Sequence, residues 1–291
     1  LQNDGRVDLK QFSIRLMERV NIGTTLMTMM SEVKSAPTLS PLKHHGINER
    51  WRNEAMRSHA TPRLIHITKG QGRITVAGLT NGYGPNNLIY IPPHTMYGME
   101  VGPTVFAQIM SLPDDGGMPA VPFHLRLLDV GPQKELQGLF EAIERELKPT
   151  GDPRAVNCHR VLLSIFIERQ LNAREDIASD ARRNSAAAKL VARYTTLIAQ
   201  EFRSDRTVAD YAADLKVTPT HLTRCCQQTC NRSALKLLNE RIHFEACTLL
   251  CETRSSVQDI ADRLGFQSAA YFTRTFKDRT GETPTHFRRA V

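Results

Sequence analysis

Five histidines, His44, His45, His59, His66 and His94, crowd the first third of the chain. Imidazole nitrogens bind transition metals, so metal-assisted chemistry is the first possibility they raise. Their spacing argues against it: there is no His-x-His pair and no glutamate at a matching distance. No metal and no cofactor are therefore expected, and a histidine in the core or on the surface is the default reading. Cys226 and Cys230 lie four apart, as do Cys247 and Cys251. On helices each pair shares a face and could hold a soft metal or sense an oxidant. The plainer reading is that small buried thiols stand in for hydrophobes. A third chemistry is recognition of a small organic ligand, for which His66, Tyr90, His94 and Tyr97, with Arg63 and Arg73, are the candidate polar side chains.

The elements that must position these groups change character along the chain. Leu64 to Thr68, Arg73 to Ala77, Leu88 to Ile91 and Thr104 to Ile109 are short β-prone runs separated by glycine and proline turns. Such spacing predicts a sandwich or small barrel, and a barrel of this size can enclose one small ligand. Gln133 to Leu147 and Arg154 to Asn172 read as helices. The second carries Val161, Leu162, Leu163, Ile165, Phe166 and Ile167, more than one apolar stripe, so a second face needs covering. A second copy of the chain is the expected cover, giving a homodimer. Leu1 to Ala36 is left unassigned, although Phe12 to Met30 is methionine-rich and compatible with a helix.

Toward the C-terminus one pattern occurs twice. Thr207-Val208, Asp210, Ala212 and Leu215 return 49 residues later as Ser256-Val257, Asp259, Ala261 and Leu264. Beyond a turn the offset becomes 50, so that Leu222-Thr223-Arg224, Cys226 and Asn231 answer to Phe272-Thr273-Arg274, Phe276 and Gly281. Two helices of fixed length joined by a variable corner would show this. Thr218 and Ser268 can cap the second helices, Pro219 suits a first helical position, and Asn231 and Gly281 suit left-handed ends. Each copy reads as a helix-turn-helix. Between them, Ala234 to about Cys251 reads as one connecting helix, long enough to set two reading helices about one duplex turn apart.

The run Val257-Gln-Asp-Ile-Ala-Asp-Arg-Leu-Gly-Phe-Gln-Ser-Ala-Ala-Tyr-Phe-Thr-Arg-Thr-Phe-Lys, with Thr280-Gly281-Glu-Thr-Pro284 and Phe287-Arg288, resembles the signature of the AraC/XylS family of transcription regulators. Departures are local: Cys225-Cys226 stand where the family has aliphatic and aromatic core residues, and Asn231 stands for glycine. The resemblance implies double-stranded DNA as a partner, with Thr220, Thr223, Arg224 and Gln227 on the first reading helix. On the second it implies Ala269, Ala270, Thr273, Arg274 and Lys277. Arginine can grip both acceptors of guanine, while alanines and threonine methyls suit thymine methyl groups. Ile91-Pro92-Pro93-His94 and Lys69-Gly70-Gln-Gly72 are similar to the small cupin barrels that serve as sensors in this family; Leu39 to Val130 is the span assigned to it. RNA polymerase and a homodimeric partner are further implications.

The fold class expected is α+β in two domains: a cupin-like β-barrel with flanking helices, then an all-α tandem helix-turn-helix domain. Residues 1–172 would bind effector and dimerise, 173–188 would be a polar linker, and 189–291 would bind DNA. A net charge of +8, with 16 basic against 11 acidic residues from Lys189 onward, accords with a polyanionic partner. No run of 18 apolar residues exists to span a membrane, and six cysteines without a secretory pattern suggest free thiols in the cytoplasm. The expected function is a non-enzymatic, effector-controlled regulator, more specifically an activator. The alternatives are a metal-dependent cupin enzyme with a helical appendage, or an effector-independent regulator whose barrel makes protein contacts.

Overall fold

The computed structural model describes residues 36–46, 49–173 and 182–290. Phe12 to Met30 and residues 174–181 of the expected linker lie outside the described residues.

Among the described residues, eight strands form two antiparallel sheets. The larger contains β1 (Thr38–Pro41), β7 (Phe106–Ser111), β2 (Arg63–Lys69), β5 (Asn87–Ile91) and β8 (Phe123–Arg126), hydrogen-bonded in that order. The smaller orders β4 (Leu79–Tyr83), β3 (Gly72–Val76) and β6 (Tyr97–Met99). Alternation along β2 explains the layering. Ile65 and Ile67 point between the sheets, where Ile74, Ile89, Tyr97 and Met99 meet them. Leu64 points the other way, toward helices α2 (Val130–Glu146) and α3 (Pro153–Asn172), where it meets Phe140, Leu163 and Phe166.

The closed cupin barrel expected from the sequence is not what the strands build. Among the described residues no ladder joins the two sheets, and apolar side chains from both inner faces fill the space between them. The coarser expectation, a β-rich N-terminal domain followed by a helical one, holds.

The helical part comprises α4 (Ala186–Glu201), α5 (Val208–Asp214), α6 (Pro219–Cys230), α7 (Ala234–Glu252), α8 (Val257–Arg263), α9 (Ala269–Thr280) and α10 (Pro284–Ala290). Its start is set by Ser185, whose side chain accepts from the Ala188 amide. No described helix is long and apolar enough to cross a membrane.

The sheets and the helices share a core. A short helix, α1 (Trp51–Glu54), and the residues after it place Trp51, Ala55 and Met56 in the same apolar cluster as Val191, Leu237 and Phe287. Arg232 donates to Thr75 Oγ1 at 2.8 Å, and Arg182 donates to the Thr80 carbonyl at 3.2 Å. At Gly78, where φ is +73°, an added Cβ would stand 2.3 Å from Val191 Cγ1, so the β3–β4 turn rests directly on α4.

Candidate nucleic-acid interface

Both repeat copies are built by the same local rules. Thr207 and Ser256 each accept from the amide three residues on, and Asp210 and Asp259 reach back to the cap amides, so two reciprocal capping boxes start α5 and α8. Those hydrogen bonds, from Thr207 and Ser256 respectively, hold both carboxyls below the ordinary aspartate range. The reading helices α6 and α9 begin at Thr218 and Ser268, whose hydroxyls accept from the amides of His221 and Tyr271. They end in left-handed residues, Asn231 at φ 52° and Gly281 at φ 80°. The corners differ by one residue, as the change of offset requires. Gly265 takes the left-handed conformation in the second, and Lys216, its counterpart, takes it in the first at φ 58°.

Leu222, Cys226 and Cys230 turn the inner face of α6 into the core, and Phe272 and Phe276 do so for α9. The opposite faces are open. Thr220, Arg224 and Gln227 are exposed and Thr223 is half-buried; Ala270, Arg274 and Lys277 are exposed, with Ala269 and Thr273 half-buried. Each set follows the three-and-four spacing of one helix face. Helix α7, at 19 residues, is about 28 Å long.

The repeat also extends to something the sequence reading did not use. Arg224 donates to His221 Nδ1 at 3.0 Å, and the Arg274 guanidinium lies 5.5 Å from the Tyr271 ring. His221 and Tyr271 are themselves 50 apart, so each exposed arginine is braced by an aromatic ring three residues earlier. The 50-residue offset was the available signal.

The six candidate effector residues are not brought together. His66 faces the helix layer, its ring 5.0 Å from Phe140, and burial lowers its pKa. Tyr90 stacks on Phe123 at 5.2 Å, and burial pushes its hydroxyl up to about 12. Arg73 is exposed and paired with Glu100 at 3.0 Å, and His94 is exposed on a left-handed turn. Only Tyr97 and Arg63 sit where the sheets meet the helices, in company with Arg57 and His59, which the sequence reading left aside. The Arg57 guanidinium lies 4.3 Å over the Tyr97 ring, and Arg63 Nη2 bonds His59 Nδ1 at 3.2 Å. Burial, helped by Arg63, Arg57 and Arg241, depresses His59 to about 3.

Cys225, Cys226, Cys230 and Cys247 are buried. Burial pushes the Cys226 thiol up to about 12 and raises Cys247 as well, which disfavours the reactive thiolate at both.

Two capped helix-turn-helix units with open second helices, joined by one helix, define a tandem DNA-binding domain. A family model described as a helix-turn-helix domain matches residues 211–290. RhaR, a transcriptional activator of Mannheimia succiniciproducens, is 28% identical over 157 residues, 53% of this chain and 54% of its own length. The C-terminal domain of AraT, a response regulator from Geobacillus stearothermophilus, is 30% identical, covering 37% of this chain and 89% of that one with a TM-score of 0.35. ToxT from Vibrio cholerae O395 aligns over 88% of this chain and 98% of its own at 11% identity and a TM-score of 0.43. The chain belongs to the AraC/XylS family of transcription regulators. It spans from 12% to 54% of the length of the first curated relatives it matches.

Proposed function

We propose that the protein is a sequence-specific transcription regulator, an activator, that lays α6 and α9 into consecutive major grooves on one side of a duplex. The observation that carries this reading is the pair of solvent-open faces: Thr220, Arg224 and Gln227 on one helix, Ala270, Arg274 and Lys277 on the other. Arg224 and Arg274 reach guanine edges; Thr223, Thr273, Ala269 and Ala270 lie against thymine methyls. Lys277 engages phosphate and positions the helix.

The N-terminal sheets bind a small organic effector that changes how the reading helices are presented, and the shared core around Trp51 supports such coupling. Coupling of this kind is limited by the difference in effector affinity between the two arrangements. A homodimer forms through α3, whose Val161, Leu162 and Ile165 are each 51% exposed. The protein works in the cytoplasm and contacts RNA polymerase.

Selection from a randomised duplex pool tests the reading. Enrichment of a two-block motif, bound about a thousandfold or more tighter than bulk DNA, is expected. Recovery of unenriched DNA, with binding that depends only on salt, would refute it.

A further inference from the structure

A cleft of about 450 Å³ lies between the sheets and α7, within the range of roughly 300–1,000 Å³ found for small-ligand sites. One end is basic. Arg57 is only 6% exposed, and its Nη1 donates to the main-chain oxygen of Asn53 at 2.5 Å. Arg63 and His59 line the cleft beside it. Because His59 Nδ1 receives the Arg63 hydrogen bond, the neutral ring must carry its proton on Nε2. That Nε2–H and the Arg63 Nε–H are both buried and have no hydrogen-bond partner.

Among the described residues neither guanidinium pairs with a carboxylate. Of the two acids on the cleft wall, Glu245 and Glu252, the first is already held by Arg203 at 2.5 Å and Arg241 at 3.0 Å. Buried donors without acceptors are unfavourable, and two uncompensated guanidinium charges more so. An anion relieves both at once. The rest of the cleft is mixed: Pro41, Leu42, Trp51, Ile109 and Phe244 give it apolar wall, among polar residues that include Lys43, Arg52 and Glu252.

We propose that this cleft takes a small organic carboxylate, its head group on Arg57, Arg63 and His59 and its apolar body along Trp51, Phe244 and Ile109. The inference rests on the effector-controlled reading above and supplies its ligand class and its place. Ile109 belongs to β7 and Phe244 to α7, so the ligand touches the sensor sheets and the helix between the two readers together.

Trp51 is the single tryptophan of the chain, and its emission reports on the cleft directly. The full chain is titrated with octanoate and with 3-phenylpropionate, each against its uncharged amide. A saturable change with at least one acid and not with its amide is expected, weakened about tenfold or more in Arg63→Gln. No response to either acid, or an equal response to acid and amide, overturns the proposal, and so does an unchanged affinity in a folded Arg63→Gln protein. Selective DNA binding is measured on the same preparation. If it persists while the acids fail, the cleft assignment is wrong and the regulator reading stands. If it is absent, the regulator reading falls and the titration alone decides the cleft.

Discussion

Trp51 stands edge-on to Phe244, with ring centroids 5.5 Å apart and planes at 65°. Trp51 enters from the N-terminal side of the chain and Phe244 lies midway along the helix that separates the two readers. Edge-to-face rings pack without sliding easily past each other, so movement at the sheets has a direct route to the spacer helix.

Removing that ring should therefore loosen the junction. Trp51→Ala is expected to cost about 3–5 kcal/mol, the range for emptying a large aromatic from a core, and Trp51→Phe much less. Urea unfolding followed by circular dichroism measures it. A loss below about 1 kcal/mol would mean that the ring is not holding the two parts together.

On the DNA side, Arg274→Ala should cost about 1–3 kcal/mol and relax preference at one base pair. Lys277→Ala should weaken all sequences alike and lower the salt slope by about 1. Tyr271→Ala should reproduce the Arg274→Ala preference change in weaker form, because it frees the guanidinium without removing it. Affinities for the selected site and its single-base variants decide this. Uniform loss with Arg274→Ala would make that residue a phosphate contact.

The two corners make opposite predictions for backbone substitution. At Gly265, φ is +76° and an added Cβ would stand 2.4 Å from the Ser204 carbonyl carbon, so Gly265→Ala should cost more than about 2 kcal/mol. Lys216 holds the same conformation with a side chain, so Lys216→Gly should be neutral or stabilising by up to about 1 kcal/mol. Thermal unfolding of the two variants tests the assignment, and a tolerant Gly265 would contradict it.

The helical half was legible because its signals are local. Caps, the left-handed ends at Asn231 and Gly281, and the extra residue in the second corner can all be read without knowing what packs against them. The strands at Leu64, Arg73, Leu88 and Thr104 were equally plain, while β1, β4, β6 and β8 were missed. Those four are short or carry glycine and proline, and pairing with a neighbour decides them more than propensity does. The effector residues failed to converge because strand alternation sends His66 and Tyr90 to the helix-facing side. Burial alone cannot tell the two sides of a doubly covered sheet apart. Arg57 and His59 gain their meaning only from α7, some 190 residues later in the chain.

Acid should destabilise the protein earlier than carboxylate protonation would. His59 and His243 are both held near 3 chiefly by burial, with Arg63 and Arg279 respectively adding repulsion. An unfolded chain titrates these rings near 6.5. Below that pH the unfolded state binds the extra protons, so stability present above 6.5 drains away as pH falls toward 3, by about 2 kcal/mol per histidine at pH 5. Denaturation midpoints between neutral pH and pH 5 measure it, and His243→Gln should remove about half of the slope. A flat profile over that interval would contradict the burial of these rings.

The central claim is geometric, and footprinting with a base-pair insertion addresses it most directly. Hydroxyl-radical cleavage of the selected site should show two protected patches on one face of the duplex, their centres about ten base pairs apart. Inserting five base pairs between them turns one patch to the far side and should reduce affinity to that of a half-site. A single patch, or binding indifferent to the insertion, would mean that α6 and α9 do not read one duplex together.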